Sequence, residues 1–214
     1  MRSAVAGENG TLSGLLVDYG GVLTTNVWDS FRAFCEAEGI DREEVKKAFR
    51  GNPEARALLR RLEAGELNEE TFSPLFGPII GVREDRYEGL VDRLFAGMQP
   101  EPAMIEALRR ARGAGLKTGL ISNSWGRGRY DRDSFGELFD GVVISGEVGL
   151  YKPQAEIFQL GAERVGLEPA ECVFVDDLRE NCEGAEAVGM TAVLHRGADT
   201  TLPELERLLG VELA

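Results

Sequence analysis

The stretch LSGLLVDYGG, residues 12–21, decides how the rest of the chain is read. A few apolar residues run into an aspartate, Asp18, and the Gly20 and Gly21 pair then breaks the run. A short apolar segment that ends in a turn is the mark of a strand buried on both faces of a parallel sheet. Such a strand needs partners, and they come only after a gap. Residues 27–98 instead show helical spacing with charged faces, in FRAFCEAEG (31–39), DREEVKKAFRG (41–51), PEARALLRRLEAG (53–65) and REDRYEGLVDRLFAG (83–97). Asp41 and Asn68 are the expected N-caps there, and no strand is expected.

After Pro100 the chain alternates. A helix over 102–113 precedes a strand in GLKTGLIS (115–122), and a short helix over 134–139 precedes GVVIS (141–145). A helix over 153–166 precedes ECVFVDD (171–177), one over 179–189 precedes TAVLH (191–195), and a last helix covers 202–209. This alternation predicts an α/β fold, a doubly wound, Rossmann-like parallel sheet covered on both faces. The strand at residues 12–18 must join that sheet. The expected organisation is an α/β core of residues 1–26 and 99–214 with a helical insertion at 27–98.

Composition narrows the function. Against 24 Lys and Arg stand 37 Asp and Glu, for a net charge of −13 over 214 residues. An acidic surface opposes non-specific binding to nucleic acid or anionic lipid. No apolar run approaches the roughly 20 residues of a membrane span. Neither nucleic acid nor a membrane is therefore an expected partner. Cys35, Cys172 and Cys182 are scattered and form no CxxC pair, which argues against a disulfide framework or a zinc site and fits a reducing compartment. The first dozen residues hold no long apolar segment, so a cytoplasmic location is expected. Oligomeric state is left open.

In a doubly wound sheet the carboxyl ends of the strands share one edge, where ligands bind. The first strand delivers Asp18 to that edge, the second Ser122 and Asn123, and the ECVFVDD strand Asp176 and Asp177. Lys152 and Pro153 open the helix that follows GVVIS. Each residue also has a plain structural reading. Asp18 suits a turn, Asp176 and Asp177 an N-cap, Ser122 and Asn123 a strand-end turn, and Lys152 a solvated surface. What favours a site is their convergence. Three aspartates around one point repel each other, and Mg²⁺, which takes oxygen ligands and keeps several waters, relieves that repulsion. Asp18 beside Mg²⁺ and Lys152 is placed to attack phosphorus, and Ser122 to hold the phosphoryl group.

VDYGGVL (17–23), LISNS (120–124), YKP (151–153) and VFVDD (173–177), in that order, resemble the four motifs of the haloacid dehalogenase superfamily. SNSW, GLYKP, VFVDDLREN and EAVGMTAVL resemble most the branch that holds the N-terminal phosphatase domain of soluble epoxide hydrolase and its bacterial relatives. The resemblance covers residues 12–196 and implies that the insertion is a helical cap. It implies a Mg²⁺-dependent phosphatase acting on a small phosphate ester through an aspartyl-phosphate. Asp18 then matches the nucleophile, Ser122 the phosphate-binding hydroxyl with Asn123 beside it, and Lys152 the charge-neutralising lysine. Asp177 matches the metal-ligating acid, Asp176 a position that orders metal-bound water, and Asn181 a nearby polar residue of that branch. The Gly20 carbonyl completes the metal site.

One departure matters. Phosphatases of this family place a second aspartate, the general acid and base, two residues after the nucleophile. Here that residue is Gly20. Such help is worth about 10²–10⁴ in rate. Either the substrate carries a good leaving group, or another acid comes from the cap or the loop after Gly21, with Asp29 the nearest candidate, or catalysis is vestigial. Two other readings stand beside the phosphatase. A 2-haloacid dehalogenase also lacks the second aspartate, but needs no metal and would suffer from Asp176 and Asp177 near a carboxylate substrate. A non-catalytic phosphate-binding or regulatory protein rests on Gly20 alone. Residues 125–130, WGRGRY, read as substrate mouth or as a solvated Gly-rich loop. His195, Cys35 and Cys172 read as structural.

Overall fold

The computed structural model describes residues 11–125 and 130–214. Five parallel strands make one sheet: β1 (Gly14–Val17), β2 (Lys117–Ser122), β3 (Gly141–Ile144), β4 (Cys172–Asp176) and β5 (Thr191–Leu194), in the order β3-β2-β1-β4-β5. β1 sits in the middle, and every residue of β1 and of β4 is buried. That explains why both read as unbroken apolar runs. The amide of Asp18 still donates to the Val175 carbonyl at 2.9 Å, so the ladder carries Asp18 to the sheet edge.

After β1 the chain enters α1 (Val27–Glu38), α2 (Arg42–Arg50), α3 (Pro53–Glu63), α4 (Glu69–Phe76) and α5 (Leu90–Phe95). Among the described residues, 27–98 contain no strand. Asp41 and Asn68 cap α2 and α4 as expected, accepting from the amides of Glu43 and Thr71 at 2.9 and 2.8 Å. These helices bury a cluster of their own, which includes Phe31, Phe34, Leu62, Phe72, Phe76 and Leu94. The chain leaves and returns through paired segments: Thr25 donates to the Gln99 carbonyl at 2.7 Å and Glu101 to that of Leu23 at 2.8 Å.

The remaining helices are α6 (Pro102–Gly113), α7 (Phe135–Leu138), α8 (Ser145–Val148), α9 (Ala155–Val165), α10 (Arg179–Ala187) and α11 (Ala198–Leu209). On one face Leu15, Val17, Val173 and Val175 pack with α6, α7 and α11. On the other, Leu16, Ile121 and Phe174 pack with α9 and α10. The alternation of Leu15, Leu16 and Val17 between faces is the period-two signature of a strand.

Three details differ from expectation. The four-residue α8 was not anticipated. α11 starts at Ala198, because Thr200 and Thr201 already donate to the Gly197 carbonyl, so Pro203 lies inside the helix instead of opening it. Lys152 and Pro153 precede a helix that starts at Ala155. The physical reason is Asn123. Its Oδ1 accepts from the Lys152 amide at 2.8 Å and its Nδ2 donates to the Lys152 carbonyl at 3.2 Å, which ties that backbone to the β2 loop. Among the described residues no helix is long and apolar enough to cross a membrane.

Candidate active site

The carboxyl edge of the sheet collects the groups expected there. Lys152, only 3% exposed, reaches up between two carboxylates. Its Nζ lies 2.8 Å from Asp18 Oδ1 and 2.7 Å from Asp176 Oδ2. Asp176 has no exposed surface, and its oxygens are fully engaged. Oδ1 accepts from the Leu178 amide at 2.8 Å, and Asn181 Nδ2 bridges both oxygens at 3.0 and 3.1 Å. Asn181 is therefore a buried partner of Asp176 and not a surface residue. Asp18 Oδ1 also accepts from the Tyr19 amide at 2.7 Å.

Asp177 completes the acidic group. One oxygen each of Asp18, Asp176 and Asp177 lie within 4.8 Å of one another. Gly21 permits that approach. Its φ is +76°, and a Cβ there would fall 2.6 Å from Asp177 Oδ2. Burial is the main force raising the Asp18 carboxyl to about 7, with Lys152 opposing and Asp176 and Asp177 adding to it. Burial, then Asp176, raises Asp177 to about 6. Burial works against the Lys152 charge, but Asp176 and Asp18 outweigh it and hold the ammonium above its ordinary range.

Ser122, at the end of β2, is 3% exposed. Its Oγ accepts from the Tyr130 hydroxyl at 3.0 Å, which leaves the serine proton for another acceptor. Burial pushes Tyr130 up to about 12. Asn123 faces the Lys152 backbone, as described above. Its side chain is tied to that backbone, and the residue borders the cavity beside Ser122. Gly126 to Arg129 of the WGRGRY stretch lie outside the described residues. Trp125 stacks into the helical layer, with ring centroids 5.7 Å from Phe49 and 4.9 Å from Phe95.

Asp29, the expected substitute acid, is turned to solvent. Its side chain is 59% exposed and pairs with Arg32 at 3.2 Å. His195 is buried against Thr201, with Nδ1 2.9 Å from the hydroxyl, and Cys35, Cys172 and Cys182 are all buried. These residues are structural.

A cavity of about 1090 Å³ opens over this edge. Asp18, Gly20, Ser122, Lys152 and Asp177 lie on the sheet side, and Trp28, Phe49 and Glu63 on the helical side. Glu63, the last residue of α3, carried no signal in the sequence beyond its place on a charged helix face. Burial raises its carboxyl to about 8.

A parallel sheet with an aspartate, a lysine and two further acids at its carboxyl edge is an open α/β protein with a polar site where ligands of such sheets bind. The family model for haloacid dehalogenase-like hydrolases matches residues 12–189, and the chain belongs to that family. Among curated proteins, the chain is 29% identical over 209 residues to acyl-CoA dehydrogenase family member 10 of Mus musculus, covering 93% of this chain and 19% of that one. It is 32% identical over 117 residues to bifunctional epoxide hydrolase 2 of Sus scrofa, covering 51% and 21%. It is 35% identical over 111 residues to glyceraldehyde 3-phosphate phosphatase of Methanopyrus kandleri, covering 50% and 48%. The chain thus spans about a fifth of the first two relatives and about half of the third. Among solved structures, a HAD-like family hydrolase of Porphyromonas gingivalis superposes with a TM-score of 0.70 at 23% identity, covering 94% of this chain and 98% of that one. A HAD family enzyme of Bacteroides thetaiotaomicron, solved with magnesium and inorganic phosphate, gives 0.63 at 19%, covering 86% and 94%.

Proposed function

We propose that this chain is a Mg²⁺-dependent phosphatase that hydrolyses a small phosphate ester through an aspartyl-phosphate on Asp18. The observation that carries this reading is the buried Asp18–Lys152–Asp176 array opening into a cavity that also holds Ser122 and Asp177. In chemical terms, Asp18 attacks phosphorus from the sheet side. The Lys152 ammonium offsets the charge of the nucleophile and of the phosphoryl oxygens, and the Ser122 hydroxyl donates to one of those oxygens. Glyceraldehyde 3-phosphate phosphatase among the relatives supports phosphate-ester chemistry.

The donor set suits Mg²⁺, because it consists of hard carboxylate oxygens with no sulfur or imidazole. Asp18, Asp177 and the Gly20 carbonyl would hold the ion. Asp176, with its oxygens already occupied, serves as the lysine anchor and not as a direct ligand. When bound, the ion supplies positive charge at the phosphoryl oxygens. We read the α1–α5 layer as the cap, residues 27–98, which closes over the substrate and excludes water. The test is phosphate release from a panel of phosphate esters with Mg²⁺ and with EDTA. Release that persists unchanged in EDTA, or halide release from 2-haloacids without metal, overturns the reading.

Two further results are expected. Gly21→Ala forces a side chain into left-handed backbone, at roughly 1–2 kcal/mol, and against Asp177. A lower melting temperature and a higher Mg²⁺ requirement should appear together; an unchanged Mg²⁺ requirement would show that Asp177 is not a ligand. Gly20→Asp behaves differently. A Cβ there meets only Val27 and Met98, at 3.7 and 3.8 Å, so the side chain fits. Glu63 already stands on the cavity wall with its carboxyl raised to about 8, so alkyl phosphates, whose leaving alkoxide needs a proton, should gain no more in kcat/KM than aryl phosphates. A gain confined to alkyl phosphates would show that the wild type lacks an acid.

A further inference from the structure

We propose that Glu63, delivered by the cap, is the general acid and base that Gly20 cannot be. This rests on the phosphatase reading above and assigns the proton transfers within it.

The argument begins with where an acid must stand. In an in-line displacement, the leaving oxygen departs on the side opposite the nucleophile. Asp18 approaches from the sheet, so the leaving group faces the cap. Glu63 is a cap carboxyl on the wall of the same cavity. Asp29, the other cap acid close to the first strand, is exposed and paired with Arg32. Tyr130 directs its hydroxyl at Ser122.

The fold also fixes Glu63 in place. Ser145 Oγ donates to the Glu63 backbone carbonyl, and the same Oγ accepts from the Ser124 amide at 2.7 Å. Ser124 lies two residues beyond Ser122. A hydrogen-bonded chain thus links the end of α3 to the phosphate-side loop. Gly65, with φ +74°, lets the cap turn approach α8 so closely that a Cβ there would lie 2.7 Å from the Gly146 carbonyl. The cap is held against the core where Glu63 enters the cavity.

The surroundings suit a proton donor. The Glu63 side chain is half-buried on the cavity wall. Lys152 and Arg60 favour its charged form, while Asp18 and Glu180 oppose it. Burial outweighs all of these, so the carboxyl keeps its proton at neutral pH.

The steps balance. Asp18 forms a bond to phosphorus as the ester P–O bond breaks, and the leaving alkoxide takes the Glu63 proton and departs as an alcohol. The Glu63 carboxylate then takes a proton from the water that attacks the aspartyl-phosphate. The P–O bond to Asp18 breaks, inorganic phosphate leaves, and Glu63 is protonated again.

Glu63→Gln tests this. With p-nitrophenyl phosphate, whose leaving group needs no proton, the first step should continue while the second slows. The variant should release a burst of p-nitrophenol stoichiometric with enzyme, accumulate the phosphorylated protein in acid-quenched mass spectra, and turn over about 10²-fold more slowly. Wild-type kcat/KM for an alkyl phosphate should fall as pH rises above about 8, and that limb should vanish in the variant. Gly20→Asp added to Glu63→Gln should restore turnover, which excludes a folding defect. Wild-type turnover without burst in Glu63→Gln, or a loss found only in Tyr130→Phe, overturns the assignment. A wild-type enzyme that never phosphorylates Asp18 overturns the phosphatase reading itself, before the variant is compared.

Discussion

Asp18→Asn is expected to lower phosphate release by at least about 10⁴-fold, because an amide cannot form the acyl-phosphate and losing a nucleophile removes the whole covalent route. The fold should survive. Lys152 keeps Asp176 at 2.7 Å, so the substitution leaves no buried charge without a partner. The asparagine oxygen can still accept from the Tyr19 amide, as Asp18 Oδ1 does now at 2.7 Å. The check is a steady-state assay beside a thermal melt. A variant that melts with the wild type and releases no phosphate supports the mechanism. One that retains turnover removes Asp18 from it.

Asp176→Ala is expected to produce the largest loss of stability. Its carboxylate holds the Lys152 ammonium, the Leu178 amide and the Asn181 amide, all at 3.1 Å or less. Removing one partner of a buried ion pair costs about 3–5 kcal/mol, because the remaining charge has been taken out of water. Here Lys152 would keep only Asp18, and the nucleophile would be drawn into a tighter pair. Stability and activity should fall together. A urea titration measures the first as a lower midpoint at unchanged slope. Asp176→Asn, which keeps the acceptor oxygen but not the charge, should lose less. A midpoint equal to that of the wild type would show that Asp176 does not hold the lysine.

The contrast between Asp176 and Asp177 shows how far a motif can be read. Two adjacent acids at the end of a strand point to one site, but alternate residues of a strand face opposite ways. Only the packed structure shows Asp176 buried against Lys152 and Asn181, with Asp177 beside Gly21 and the cavity. Asn123 teaches the same lesson. Its place after Ser122 suggested phosphate, whereas its side chain is occupied by the Lys152 backbone.

By itself the sequence determined the five strands, the helical insertion after the first of them, and the arrival of Asp18, Ser122, Lys152, Asp176 and Asp177 at one edge. Those features are local. Apolar runs, glycine breaks and helical periodicity are set by neighbours a few residues apart, and a parallel sheet then aligns its carboxyl ends without further information. The tertiary structure alone decided which acid is buried against Lys152 and Asn181, which one borders the cavity, and where Glu63 and Tyr130 lie. Glu63 is separated from Asp18 by 45 residues of chain and stands on a helix whose charged face reads as solvent-exposed. Its environment comes from the docking of the α3 end onto Ser145 and Gly146, a contact across more than 80 residues that no local pattern encodes.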